Sequence, residues 1–348
     1  MAVLVTGGAG YIGSHVAHSL CDAGQKTVVV DDLSTGFASA VPPHAQLFVG
    51  DVADAGLLQQ IDRDHGIDAI IHLAGSVVVP DSVADPLGYY LNNTVKSRAL
   101  IAWAVAAGVR NFIFSSTAAV YGNPVVVPVD EQAPLQPLSP YGRSKLMTEM
   151  MLADAAVAHD LRYVALRYFN VAGADPAGRT GQSTKGATHL LKVACEAAVG
   201  RRDGIDVFGT DYPTRDGTCI RDFIHVSDLA QAHLAALSHL RRGGTSQVLN
   251  CGYSHGFTVL ELIETVKEVS GSVFPVRHAP RRAGDSVEVV ADCSRLRAEL
   301  GWKPQHDDLR GIVGDALRWE RSRAAQPERQ TPGTGLQIGL QTGLRAAE

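Results

Sequence analysis

Apolar runs bounded by polar and glycine-rich stretches recur through the first half of the chain. Ala2–Thr6 is one, followed by glycines and a helix-like stretch to about Ala23. Thr27–Asp31 is β-branched and ends in an acid. Gln46–Gly50 and Asp68–Leu73 repeat the theme, with a helix expected between them. Pro86–Ala107 has the pattern of one long helix that Gly108 would stop. Asn111–Ser116 and Leu161–Arg167 are further strand-like runs, separated by a helix over Pro140–His159 with proline in its first turn. Near-continuous apolar strands alternating with helices predict a parallel sheet covered on both faces. The fold class expected is α/β: a Rossmann-type, doubly wound parallel sheet with a smaller α/β lobe.

The rhythm loosens after Asn170. Ala172–Thr218 is rich in glycine and short runs, and helical patterns return at Ser227–Leu240 and Thr258–Val269. This predicts a nucleotide-binding domain over residues 1–170, with a return segment near 219–250. Residues 171–320 would form mainly a substrate-binding lobe. Residues 321–348 lack a period and are expected to be a flexible tail.

Composition narrows the class. The 348 residues are 45% hydrophobic and 19% charged, which suits a two-lobed globular enzyme. A net charge of -5 argues against nucleic acid as a partner. No apolar run is long enough to span a bilayer, and the N-terminus has no signal-peptide pattern. The five cysteines (Cys21, Cys195, Cys219, Cys251, Cys293) are scattered without metal-ligand spacing, which suits a reducing cytoplasm. His15 and His18 have no third ligand nearby, so no metal is expected.

The chemistry begins at Gly7-Gly8-Ala9-Gly10-Tyr11-Ile12-Gly13, between the first strand and the first helix. Gly7, Gly10 and Gly13 permit a tight turn and close approach of the backbone to a pyrophosphate at a helix N-terminus. Asp31 ends the second strand, where an acid binds ribose hydroxyls and repels a 2′-phosphate, so NAD is favoured over NADP. Asp51 follows the third run, within reach of an adenine amino group. Leu73-Ala74-Gly75 ends the fourth, at the same sheet edge.

Ser139–Lys145 reads SPYGRSK. Tyr141 and Lys145, four apart on a helix, share a face. A free phenol has a pKa of about 10. A lysine ammonium and a positive nicotinamide ring would both favour phenolate and make Tyr141 a usable acid–base group. The Phe114–Thr117 strand end adds hydroxyls, with Thr117 best placed to orient the same oxygen.

With these motifs, the strings TGGAGYIGSH, HLAGS, DPLGYYLNNT, FSSTAAVYG, LRYFNVAGA, FGTDYPTRDGTCIRDFIHV and APRRAGD carry a resemblance over Ala2 to about Trp319. The chain resembles the extended short-chain dehydrogenase/reductase family, most closely its UDP-glucose 4-epimerase branch. The resemblance implies that Tyr141 takes the proton of the sugar 4′-hydroxyl while a hydride passes to tightly bound NAD, and that both return after the keto sugar rotates. It implies that Lys145 holds the nicotinamide ribose, Asn92 supports the cofactor and Phe169 lies near the nicotinamide. Tyr11, Ile12, Asp32, Val52 and Ser115 are assigned to the cofactor site by the same likeness. Asn170, Arg221, Arg282 and Asp285 match positions that hold the nucleotide-sugar, and His189, Leu190, Val207, Phe208 and Val289 are assigned to the same substrate site. A homodimer through a helical face is the family expectation.

There are departures. Ser76-Val77 follow Gly75 where many members have a lysine two positions on, removing one positive charge near the cofactor. Thr188-His189-Leu190 replaces the frequent NNL. Some members carry a bulky aromatic near Val289, so valine leaves room for N-acetylated sugars. Dehydratases need acids where this chain has Ala118 and Ala119. Other UDP-sugars (N-acetylhexosamine, pentose, uronate) remain alternative substrates, and a non-catalytic NAD-binding sensor is a reading from another class.

Overall fold

The computed structural model describes residues 1–184, 186–282 and 286–325. Strands β1 (Ala2–Thr6), β2 (Thr27–Asp31), β3 (Gln46–Val49), β4 (Ile67–His72), β5 (Asn111–Thr117) and β6 (Arg162–Tyr168) follow the expected runs within a residue or two. With Gln247–Cys251 they form one seven-stranded sheet, ordered Gln247–Cys251, β6, β5, β4, β1, β2, β3. Every neighbouring pair is parallel. The order reverses between β1 and β4, and ligands of such sheets bind beyond the strand ends at that crevice.

β1 is buried along its whole length. Its alternate residues face opposite layers. Val3 and Val5 join a core containing Val16, Leu20 and Leu229, whereas Ala2 and Leu4 join Leu58, Ile61 and Leu100. Helices Tyr11–Asp22 and Val226–Arg241 pack together on the first side.

Two helices carry the site. The expected single helix over 86–107 is helical throughout but changes pitch: Pro86–Tyr89 and Lys96–Ala107 are α-helical, and Tyr90–Val95 is a π-helix. Gly108 ends it at φ 72°, in the left-handed region that glycine tolerates. Helix Pro140–Ala158 starts at Ser139, whose hydroxyl accepts from the Gly142 N–H.

Beyond Asn170 the chain builds three small sheets: Phe223–His225 with Asn170–Ala172, Phe257–Thr258 with Ile220–Arg221 and Glu288–Val289, and Val276–Ala279 with Ile205–Phe208. Val226–Arg241 and Gln247–Cys251 return to the first body, so the return helix and strand end at 251. The final helix, Leu309–Ala324, takes in residues 321–324, where the sequence suggested the tail had begun. The rest of that tail, and Asp285, lie outside the described residues. No described helix is long and apolar enough to cross a membrane.

Buried titratable groups make stability depend on acid. Burial holds His15 down to about 4, His72 to about 3 and His233 to about 4. Each is neutral in the folded chain while an unfolded histidine protonates near 6.5, so its contribution is complete above that pH and lost as pH falls. Asp222, raised by burial to about 6, acts in the opposite sense between about 6 and its ordinary value. The lowered histidines outweigh Asp222, so stability should fall as pH drops from about 6 towards 4. Urea unfolding at pH 7, 6 and 5 checks this, and a flat stability across that range contradicts it.

Candidate active site

The loop after β1 is shaped by backbone contacts. Gly7 has φ 71°, and a Cβ there would lie 2.6 Å from the Ala74 nitrogen in the loop after β4. A Cβ on Gly13 would collide with the Gly7 carbonyl oxygen. Gly10 is the N-cap of helix Tyr11–Asp22 with no side-chain cap, so the first-turn N–H groups present a site for an anion. The Tyr11 hydroxyl donates instead to the Gly173 carbonyl at 2.7 Å, and Ile12 packs against the core. Only the backbone of these two residues is left to meet a phosphate.

Asp31 is buried at the end of β2, and burial raises its pKa. Its carboxylate accepts from the Ala9 and Leu33 N–H groups, each at 2.9 Å, and so ties the glycine loop to the strand. Each oxygen keeps a second lone pair. Asp32 is exposed and accepts from the Ser34 N–H at 2.9 Å. Asp51 is paired with Lys96 at 2.7 Å; burial pushes its pKa up, but the Lys96 hydrogen bond prevails and the net shift is down. Its Oδ1 accepts from the Ala53 N–H at 2.8 Å, and each oxygen keeps a lone pair for a further donor such as an adenine amino group. Val52 beside it is buried.

After β4, Leu73 extends the pairing to Thr6, donating at 3.0 Å. Gly75 has φ 152°, and a Cβ would meet the Asn93 Oδ1 at 2.9 Å. Asn92 donates to the Ser76 hydroxyl at 2.9 Å. Asn93, not singled out in the sequence, is the hub: its Oδ1 accepts from the Ser76 N–H, and its Nδ2 donates to the Ser76 carbonyl and the Ser144 hydroxyl. Adjacent asparagines serving the same Ser76 sit in the π-helical stretch, a feature common at functional sites. Ser97 donates to the Asn93 carbonyl and so accepts from His72 Nε2, leaving His72 Nδ1 to accept from Thr6. A neutral His72 fits this chain.

Lys145 is buried and donates to the Ser115 carbonyl at 2.9 Å, with its ammonium 5.0 Å from the Phe114 ring centroid. Burial lowers its pKa to about 8. Tyr141 differs from expectation. Burial raises its pKa, and the opposing influence is a hydrogen bond from Thr117, not Lys145. The Thr117 hydrogen bond is thus what opposes burial at the phenol. The Thr117 oxygen accepts from the Ala119 N–H at 3.2 Å, which leaves its proton for Tyr141. Of the neighbouring hydroxyls, Ser115 is engaged by Tyr168 and Ser116 by Glu149, so Thr117 alone of the three serves Tyr141.

The second-lobe residues fall into smaller groups. Phe169 packs with Ala118, Val120 and Val289. Asn170 donates through its backbone to the Asp222 carbonyl at 3.0 Å. Arg221 pairs with Val289 across adjacent strands, and its Nη1 donates to the Ile220 carbonyl at 2.8 Å. Arg282 stacks on Phe208, 3.6 Å from the ring centroid. Val207 is buried, so its side chain is core and only its backbone can face a ligand. His189 meets Gln182 at 2.8 Å ahead of helix Leu190–Ala198, and Leu190 is half-buried at its start. Asp222 was also missed: its buried carboxylate accepts from the Tyr253, Ser254 and Ala291 N–H groups, tying together segments too far apart in sequence for spacing to show.

His225, His306 and Asp315 bring possible metal ligands together. The Ser227 N–H donates to His225 Nδ1 at 3.0 Å, so His225 Nε2 carries the proton and donates to Asp315 at 3.1 Å. That leaves no lone pair on His225 for a metal.

The family described as "NAD dependent epimerase/dehydratase family" matches residues 3–252. A UDP-glucose 4-epimerase of Azospirillum brasilense is 60% identical over 320 residues, 92% of each chain. The crystal structure of UDP-glucose 4-epimerase from Brucella ovis in complex with NAD superposes with a TM-score of 0.89 at 43% identity, covering 91% of this chain and 97% of that one. The Stenotrophomonas maltophila UDP-glucose-4-epimerase with bound NAD and formylated UDP-arabinopyranose gives 0.90 at 41% identity, covering 93% and 100%. The glycine cradle, the Tyr141–Lys145 helix and these likenesses converge: the chain belongs to the NAD dependent epimerase/dehydratase family and groups within it with the UDP-glucose 4-epimerases.

Proposed function

We propose that the chain interconverts UDP-galactose and UDP-glucose through a transient 4-keto sugar, in a role in galactose use. The observation that carries this is Tyr141, beside the Thr117 hydroxyl and one helical turn from buried Lys145, at the edge where the glycine cradle opens. NAD fits that cradle, which added Cβ atoms would fill, and when bound it supplies the hydride acceptor and donor at C4. Tyr141 removes the 4-hydroxyl proton and returns it after the sugar has turned. Thr117 orients the same oxygen. Lys145 holds the ribose and keeps a positive charge below about pH 8. Arg221 and Arg282 offer guanidinium forks to the diphosphate, and Phe208 offers a flat face to the base.

Purified protein incubated with UDP-galactose and no added NAD should yield UDP-glucose, because cofactor oxidised and reduced in one cycle need not leave. Failure with and without added NAD would remove the reading. Val289, half-buried against the cluster that holds Phe169 and paired with Arg221 across strands, is small for a pocket wall and supports UDP-N-acetylhexosamines as further substrates. Absence of turnover of UDP-N-acetylglucosamine would count against that extension.

The chain pairs as a homodimer in this reading. Leu87, Leu91 and Val95 are 77%, 56% and 53% exposed at four-residue spacing on one helix, and Met147 and Met150 are exposed on the neighbouring one. Such a stripe marks an interface. Sedimentation giving the mass of one chain at micromolar concentration would overturn the pairing. We place the enzyme in the cytoplasm, supported by five unpaired cysteines of which four are buried.

A further inference from the structure

Tyr141, Lys145 and Glu149 occupy one face of helix Pro140–Ala158 at successive four-residue steps. The first two meet the reaction; Glu149 does not. It is 5% exposed and sits opposite Arg167, 4% exposed, on β6. Arg167 Nε and Nη2 donate to the two Glu149 oxygens at 3.0 and 2.6 Å. The Ser116 hydroxyl also donates to Glu149. Arg167 Nη1 donates to the Tyr121 hydroxyl at 3.0 Å, which donates to Asn250 Oδ1 at 2.7 Å. Asn250 Nδ2 donates to the Val129 carbonyl at 2.9 Å, and the Val129 N–H donates to the Val290 carbonyl at 2.8 Å.

This buried chain of bonds touches each part of the proposed site once. It fixes the catalytic helix through Glu149, the hydroxyl-bearing strand end through Ser116, and the strand carrying Val289 through Val290. A buried ion pair costs desolvation that its attraction only partly repays, and an apolar pair of similar volume holds a fold as well or better. Stability alone therefore does not account for a fully satisfied charged network here.

We propose that Glu149 and Arg167 are positioning residues, holding Tyr141 and Thr117 in register with each other and with the Val289 wall without touching substrate. The inference rests on the epimerase reading above. Displacement of reacting groups by about 1 Å costs roughly a hundredfold in rate. Loss of the pair should therefore lower kcat by about that factor while substrate binding persists.

The test uses the full chain with its cofactor. Glu149→Gln, Arg167→Met, the double variant Glu149→Met/Arg167→Met and the milder Arg167→Lys are compared with the parent. Thermal unfolding, UDP affinity, KM and kcat are measured for each. The double variant should recover the stability lost by the single ones and bind UDP within about threefold of the parent, yet remain about a hundredfold down in kcat. Arg167→Lys, which keeps the charge but not the fork, should show the same split of low kcat and unchanged KM. If kcat recovers together with the unfolding temperature in the double variant, or stays within about threefold of the parent in any folded variant, the pair is structural and the proposal is wrong. Conversion of UDP-galactose by the unaltered chain is scored separately, so a failed function and a failed positioning role give different results.

Discussion

Tyr141→Phe is expected to lower kcat about a thousandfold and to leave UDP and NAD binding near parental values. The ring keeps its place on the helix, and Lys145 keeps its bond to the Ser115 carbonyl, since that bond does not involve the phenol. What disappears is the one oxygen in hydrogen-bond contact with Thr117 that can take and return a proton. Thr117→Ala removes only the orienting partner and should cost less, about tenfold. The direction of a titration follows as well. Burial keeps the Tyr141 phenol above its ordinary pKa, and bound cofactor should bring it down. Spectroscopic titration of the phenol with and without NAD, alongside calorimetry with UDP, tests both statements. A Tyr141→Phe protein within tenfold of the parent would take this residue out of the reaction.

Gly13→Ala should have an effect of comparable size through binding rather than chemistry. The added Cβ would run into the Gly7 carbonyl oxygen and lie 2.8 Å from the Gly8 Cα. Both neighbours are backbone, held in turn by the Gly7 N–H bond to the Val30 carbonyl, so neither can swing aside. The helix has to shift off the loop, opening the N-terminus that receives the pyrophosphate, at about 2–3 kcal/mol from overpacking alone. Purified protein should carry little NAD, and activity without added cofactor should fall at least about a hundredfold. Gly24→Ala is the control: φ is 69° with open space around it, so about 1 kcal/mol of stability is lost and no cofactor. Equal cofactor content in the two variants would show that the cradle is not the binding site.

What could be read in the sequence was local. β1 and β2 are bounded as their apolar runs predict, because a strand buried on both faces has to be apolar throughout. Tyr141 and Lys145 were visible because helical spacing puts four-apart residues together. The partner of Lys145 was not visible, because the Ser115 carbonyl is thirty residues away and any residue type supplies a carbonyl. The same holds for Asp51, whose mate Lys96 comes from a distant helix, and for Asn93, whose hub role needs the loop at Ser76 brought alongside. The change of pitch at Tyr90–Val95 left no mark in the apolar pattern. Glu149 and Arg167 read individually as ordinary helix and strand residues; only the fold turns them toward each other.

The late arrival of Gln247–Cys251 in the first sheet has a consequence for synthesis on the ribosome. β6 is complete at Tyr168, but the strand that covers its outer edge ends at Cys251. At about 5–20 residues per second, roughly 4–17 seconds separate the two. During that interval the growing chain carries a long, apolar, unpaired edge of the kind that adds to other strands. A fragment ending near 170 would keep that edge permanently, so a nucleotide-binding half cut there should aggregate, whereas cutting after 251 closes the sheet.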